Sequence, residues 1–394
     1  METRKLQQVG GGTFTVSIPK EWATEHALEA GAEVHLYTHS DGSVVVRSAA
    51  RDGGHLDEAR VDLGSEDGPG IGTDATTADD ADDTARVTRT LRAAQTAGFE
   101  TVTLTRDEGF DDAQRRAARA LASDLVGTDV VAEDDSELAV RNLLDAGDVS
   151  VRQSVVQLQF VACSVHRAAT TALVEGDGEA ADRLRDRRDE AERLFGMVAR
   201  HCNRALTSLA TVDRLGVSRP ELFDYCETAR HLRDVADAGV RIAAVAERLS
   251  DAPADPVAET VARLGARSRA VVEDAAGAVL EGTDIGAAHA ALDDAERVAA
   301  DVDAVEAALF AGVDGATDPT ADAAVATDGA GETEGSPAVG DLSGVSATDR
   351  LALARALDPL ARTADHGGRV ARVALRAAIR DANGDAGAPD AADT

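Results

Sequence analysis

From Ser150 onward, apolar residues recur every three or four positions. A chain with that spacing can bury them together only as amphipathic helices. Val151, Val155, Leu158, Ala162, Val165 and Ala169 form the first stripe. Ala191, Leu194, Val198, Cys202, Ala205, Leu209 and Val212 form the second. The third follows Pro220 and holds Leu222, Tyr225, Ala229, Leu232, Ala236, Gly239 and Ile242. Val257, Val261, Leu264, Val271, Ala275 and Val279 make a fourth; Leu292, Ala295, Ala299, Val302, Val305 and Leu309 a fifth. Leu351, Leu357, Leu360, Ala364 and Val370 belong to a sixth. Six long stripes in two sets of three predict a duplicated three-helix bundle, with repeats at 150–250 and 255–382. Residues 312–345, rich in Gly, Ala, Asp and Thr, interrupt the second repeat and read as a disordered insert.

The N-terminal third follows different periods. Residues 1–48 read as β-rich. Phe14, Val16 and Ile18 alternate with Thr13, Thr15 and Ser17, as in a half-buried strand. Gly10, Gly11 and Gly12 make the turn before it. Pro19 opens a short helix that carries Trp22 and ends before Gly31. Strands at Val34–Tyr37 and Val44–Val46 flank the tight-turn pair Asp41 and Gly42. So short a segment cannot bury a good core alone, which predicts pairing with a second copy. Residues 49–84 read as an acidic linker, nearly all small or acidic between Thr73 and Asp83. Residues 85–145 read as a small α/β module. Its helices are expected at Ala85–Ala97 and Asp112–Leu125, its strands at Thr101–Leu104, Asp129–Val131 and Glu137–Asn142.

Charge narrows the function. Seventy-two acidic residues against 40 basic ones give a net charge of −32 over 394 residues. Such a balance argues against a general nucleic-acid coat and against attachment to anionic membranes. Lys5 and Lys20 are the only lysines; every other cation is arginine. An acidic, lysine-poor, alanine-rich chain resembles the proteins of salt-loving (halophilic) archaea, whose carboxylate surfaces stay hydrated in concentrated salt. No apolar run approaches the ~20 residues that span a bilayer, and the N-terminus has no hydrophobic signal segment. The expectation is a cytoplasmic protein without membrane insertion. Cys163, Cys202 and Cys226 lie far apart in helical patterns with no CxxC pair, and read as small core residues in a reducing compartment. There is no nucleophile elbow, P-loop, GxGxxG or HExxH. The expectation is a regulator rather than an enzyme, with no cofactor.

Two segments carry family resemblances. The stretch GTFTVSIPKEW from Gly12 to Trp22, followed by LEAGAEV from Leu28, resembles the AbrB/MazE/SpoVT swapped-hairpin domain. That resemblance implies an intertwined dimeric β barrel that grips promoter DNA. Arg4, Lys5, Lys20 and Arg47 are the cations available for phosphates there, against six carboxylates in residues 1–48. Gln7, Gln8, Thr13 and Thr15 are the candidates for base edges. The helical region resembles PhoU, a regulator of phosphate uptake built from two three-helix repeats. Ala236-Asp237-Ala238-Gly239 with Arg241-Ile242-Ala243 matches Ala364-Asp365-His366-Gly367-Gly368 with Arg369-Val370-Ala371, at equivalent places in the third helices. Together they resemble archaeal fusions of an AbrB-type and a PhoU-type domain. A phosphate-transporter ATPase or a signalling partner is then implied as a further partner. The other reading is an adaptor that turns down a phosphate transporter without touching DNA.

The resemblance also implies carboxylate pairs one helical turn apart, able to present oxygens to hard cations or iron. This chain departs from that pattern. Arg233 and Ala361 stand where acids should precede Asp237 and Asp365, and Arg188 precedes Glu192 at the same spacing. Asp189, Glu192, Asp237 and Asp365 remain as weak metal candidates. No tightly held iron or zinc cluster is expected, and surface ion pairs describe these helices better. Cys163 with His166, and His201 with Cys202, have the residue types of zinc ligands. No second pair completes a site, so they read as packed residues.

Overall fold

The computed structural model describes residues 3–10, 12–38, 42–48, 56–64, 79–249, 251–282, 284–314 and 345–384. It has a small N-terminal β region, a mixed α/β module and a long helical region.

In the β region, β1 (Gln7–Val9) pairs antiparallel with β2 (Thr13–Thr15), and Gly10 makes the turn at φ +67°. Helix α1 (Lys20–Glu25) follows Pro19. Strands β3 (His35–Thr38) and β4 (Val44–Arg47) form a second hairpin. The strand expected through Ile18 stops at Thr15, because the ladder with β1 ends at the Gln7–Thr15 pair. It is also not half-buried: Phe14 is 66% exposed and Val16 54%. Gly11 and Asp41, read as turn residues, lie outside the described residues.

The module comprises β5 (Glu58–Asp62), α2 (Asp79–Ala97), β6 (Thr101–Thr105), α3 (Asp112–Asp124), β7 (Thr128–Glu133) and β8 (Glu137–Asn142). The sheet order is β5-β6-β8-β7, with β5 parallel to β6 and the other pairs antiparallel. Asp111 and Gln114 form a reciprocal capping box that starts α3. Leu91, Val102, Leu104, Leu121, Leu138 and Val140 close the core between sheet and helices. Strand β5 corrects the reading of 49–84 as a continuous linker. Ala59 and Val61 turn toward the core while Glu58, Arg60 and Asp62 point out. Only two apolar residues alternate there, too few to stand out from an acidic background.

The helical region runs α4 (Val151–Glu175), α5 (Ala180–Thr207), α6 (Leu209–Leu215), α7 (Arg219–Ala246), α8 (Asp255–Leu280), α9 (Ile285–Asp314) and α10 (Ala347–Gly384). The second stripe is broken rather than continuous to Val212. Ser208 leaves helical geometry, and its hydroxyl accepts from the Thr211 N–H, so it caps a new helix, α6. Helices α4, α5 and α7 pack on one another, as do α8, α9 and α10; α4 also meets α8, and α7 meets α10. The insert read over 312–345 is narrower than expected. Residues 312–314 continue α9, Val345 is buried, and residues 315–344 lie outside the described residues.

The two repeats share one packing device. A Cβ on Gly239 of α7 would stand 3.0 Å from the His166 Cα and the Val165 Cγ1 of α4. A Cβ on Gly367 of α10 would stand 2.7 Å from the Val271 Cγ1 and 3.0 Å from the Val272 nitrogen of α8. Each glycine sits two residues after the aspartate of its Ala-Asp pair, so both repeats press their third helix onto their first at the same place.

The cysteine reading is corrected in part. Cys163 is buried and free, but Cys202 of α5 and Cys226 of α7 form a disulfide. The two positions are 24 residues apart, and only the antiparallel packing of α5 on α7 brings them together.

Two stability experiments follow. Gly239→Val should lower unfolding stability by about 1–3 kcal/mol through overpacking against α4. Gly196→Ala in α5, where a Cβ meets nothing within 4 Å, should raise it by about 0.5–1 kcal/mol. Denaturant titration with the disulfide intact reads both. In the second experiment, Cys226→Ala should cost about 3 kcal/mol for a crosslink of this span. Reductant should then destabilise the parent by a similar amount and leave the variant unchanged.

Candidate functional site

The β1–β2 ladder divides the candidate DNA-facing side chains between two faces. Residues directly opposite in an antiparallel pair share a face, and faces alternate along each strand. Gln7 opposes Thr15 and Val9 opposes Thr13, so Gln7, Thr13 and Thr15 lie on one face. The Thr15 hydroxyl donates to the Gln7 carbonyl at 3.3 Å. Gln8 opposes Phe14 on the other face. The ladder thus brings three of the four polar candidates together and sets Gln8 apart. Arg4 and Lys5 occupy the exposed stretch leading into β1, and Lys20 is the first residue of α1. Arg47 ends β4, with its guanidinium 5.7 Å from the centre of the Tyr37 ring.

In the helical region, the acids of the first repeat converge on an arginine. The Arg188 Nε of α5 donates to Asp237 of α7 at 2.6 Å, and its other nitrogens reach Asp189 at 3.2 Å and Glu192 at 3.8 Å. Burial alone would depress the Arg188 guanidinium. The hydrogen bond and charge of Asp237, with Asp189 and Glu192, outweigh it and hold the group above its ordinary value. Three of the four weak metal candidates therefore surround a fixed cation. The fourth, Asp365, pairs with Arg369 at 2.9 Å on the surface of α10. The Cys/His pairs form no shared site. Burial pushes the Cys163 thiol up to about 12 and, with the charge of Arg269, the His166 imidazole down to about 3. Cys202 is committed to its disulfide.

Two family matches agree with these segments. The family described as antidote-toxin recognition MazE, bacterial antitoxin, matches residues 7–53. The family described as PhoU domain matches residues 155–246, from the second turn of α4 to the end of α7. The chain carries a MazE-type N-terminal domain and a PhoU domain. No curated protein and no solved structure matches it. Among the described residues, no helix is long and apolar enough to cross a membrane.

The PhoU domain is held to its neighbours by polar contacts that periodicity does not reveal. On its α5, Arg200 donates to the carbonyls of Gln95 and Phe99, Asn203 to that of Thr96, and Arg204 to that of Gly98. The carbonyls of Gln95 and Thr96 lie in the last turn of α2 and those of Gly98 and Phe99 just beyond it, where a helix end has acceptors to satisfy and favours positive charge. Burial, followed by the charge of Arg204, lowers the Arg200 guanidinium to about 10. On α7, Asp224 is 2% exposed and accepts from Arg376 at 3.3 Å and Arg380 at 2.6 Å, both on α10. Glu227 adds a 2.6 Å contact to Arg376. The one sequence signal for this clamp was an aspartate beside Tyr225 inside an apolar stripe.

Asp224→Ala should destabilise the protein by about 1.5–3 kcal/mol, the range for hydrogen bonds to charged groups. Asp365→Ala, which removes an exposed ion pair, should cost under ~1 kcal/mol. Urea unfolding of both variants checks the contrast.

Proposed function

We propose that the chain is a DNA-binding regulator of phosphate uptake. Its N-terminal domain holds a promoter as a homodimer. Its PhoU domain receives the state of a phosphate transporter ATPase or of a signalling partner. The observation that carries this reading is the presence of both domains in one chain. The chain's only two lysines, Lys5 and Lys20, lie in the first of them.

Two features support the dimer. The β region exposes Phe14, Val16, Leu36 and Val44. Covering such groups is worth about 1.5–3 kcal/mol for each large side chain fully buried. A dimer would also bring two copies of Arg4, Lys5 and Lys20 into one cationic strip, a local concentration of positive charge within a segment that carries six carboxylates per chain. Phosphate contacts from these residues would position the protein, and the face bearing Gln7, Thr13 and Thr15 would read bases. The composition fits work in a salt-rich cytoplasm, and regulation rather than catalysis fits a sequence with no catalytic motif.

The test is binding of the full-length protein to phosphate-transporter promoters and to its own promoter, at several salt concentrations. Lys5→Ala should weaken binding to all sequences alike and lower the salt slope by about one unit for each phosphate it no longer neutralises. Gln7→Ala should change sequence preference more than affinity, and Gln8→Ala, beside Phe14, should change preference less. Sequence-independent behaviour of the parent at its working salt would replace this reading with the adaptor that down-regulates a transporter without contacting DNA.

A further inference from the structure

Where α7 meets α10, the two helical repeats bring two imidazoles and a carboxylate together. His231 and Asp234 stand three residues apart on α7, on one face of that helix. His366 comes from α10. The Nδ1 atoms of His231 and His366 are 3.3 Å apart, with ring centres at 5.5 Å and a 38° tilt. The Asp234 Oδ2 lies 4.0 Å from the His366 Nδ1. One ligand atom from each of the three lies within 4.8 Å of the others, and all three residues are half-buried.

We propose that His231, Asp234 and His366 bind one divalent transition-metal ion of zinc type, which staples the PhoU domain to the second helical repeat. Two nitrogens held at 2.0–2.1 Å from one tetrahedral ion stand about 3.3–3.4 Å apart, and the imidazole pair already has that spacing. The donor set, two nitrogens and one oxygen, suits zinc and its neighbours rather than magnesium or calcium. Three protein ligands leave a fourth position for water or an oxyanion.

The surroundings orient the set. Arg233 holds the other oxygen of Asp234, with contacts of 2.6 and 3.2 Å to Oδ1, and its guanidinium stacks 4.6 Å from the Phe195 ring centre. That leaves Oδ2 turned toward the imidazoles, the outer-shell support typical of a metal carboxylate. None of the three ligands occupies the acid-x-x-x-Asp positions. Two of those positions hold Arg233 and Ala361, and the aspartates there, Asp237 and Asp365, are paired with Arg188 and Arg369. The site therefore owes nothing to the carboxylate pairs, and it stands whether or not the chain binds DNA.

The experiment uses untagged full-length protein, stripped with chelator and dialysed. Zinc is titrated in competition with a chromogenic chelator, and cobalt is titrated separately with absorption detection. One equivalent per chain should bind, with a rise in melting temperature and the intense visible bands of four-coordinate cobalt. His231→Gln and His366→Gln should each weaken that equivalent by about tenfold or more, while the metal-free variants melt like the metal-free parent. X-ray absorption of the zinc-loaded parent, which needs no variant to fold, should show two imidazoles in the inner shell. A parent that binds no equivalent, an inner shell without imidazole, or affinity unchanged in both variants would each overturn the proposal.

Discussion

The close approach of helices at Gly239 and Gly367 governs the helical region. Glycine inside a helix costs roughly 0.5–1 kcal/mol relative to alanine, so each position is unfavourable until backbone contact repays it. At both, a Cβ would strike the opposing helix. With α7 pressed on α4 and α10 on α8, the third helices also meet each other, and one apolar cluster extends through both repeats. The α7–α10 seam follows from that arrangement. It carries the Asp224 clamp at one level and the His231, Asp234 and His366 group at another. The two glycines thus act on sites that neither touches.

Arginine does in this chain what lysine or a bound ion does elsewhere. Its planar fork serves several acceptors at once and keeps its charge when partly buried. Arg188 gathers Asp189, Glu192 and Asp237; Arg376 joins Asp224 to Glu227; Arg200 closes the end of α2 from a buried position. These interactions have a shared electrostatic consequence. In a chain of net charge −32, convergent carboxylates would repel one another unless a cation stood among them. A covalently attached cation does so at every metal concentration. That explains why the acid-rich face of α5 and α7 tolerates a broken carboxylate pattern.

The helical stripes were legible in the sequence because a helix buries residues at local, fixed spacing. The structure keeps all six as long helices and corrects one break, at Ser208, where a serine between Leu206 and Leu209 left the apolar stripe unbroken and gave little sign of being a cap. The module's two helices and three of its strands were legible for the same reason. Strand β5 was not, since a five-residue edge strand with two inward side chains carries almost no periodic signal. What stayed hidden in each case was contact across long separations. Cys202 and Cys226 meet through α5–α7 packing, Asp224 meets arginines some 150 residues away, and His231 faces His366 across 135 residues. Spacing along the chain holds no information about such pairs until the helix arrangement is known. Of the DNA-facing candidates, residue type was readable but face was not. Only the ladder register separates Gln8 from Gln7 and Thr15.

The N-terminal domain depends on a different balance from the bundle. Its strands are three or four residues long, and none of the described residues from 3 to 48 is fully buried in the single chain. Two-stranded hairpins of this size are marginal in water, so its order and its assembly are thermodynamically one quantity under the proposed reading. Concentrated salt then acts in two directions. Excluded salts strengthen apolar burial, which favours joining the exposed faces of Phe14, Val16, Leu36 and Val44. The same salt weakens the counterion-release term that would drive phosphate binding by Arg4, Lys5 and Lys20 in that reading. Under the proposed reading, discrimination would accordingly rest on short-range contacts from a dimer, and the small polar face of Gln7, Thr13 and Thr15 is where the fold could supply them. A DNA-binding regulator of the proposed kind would gain selectivity from the same salt that weakens its nonspecific hold on DNA.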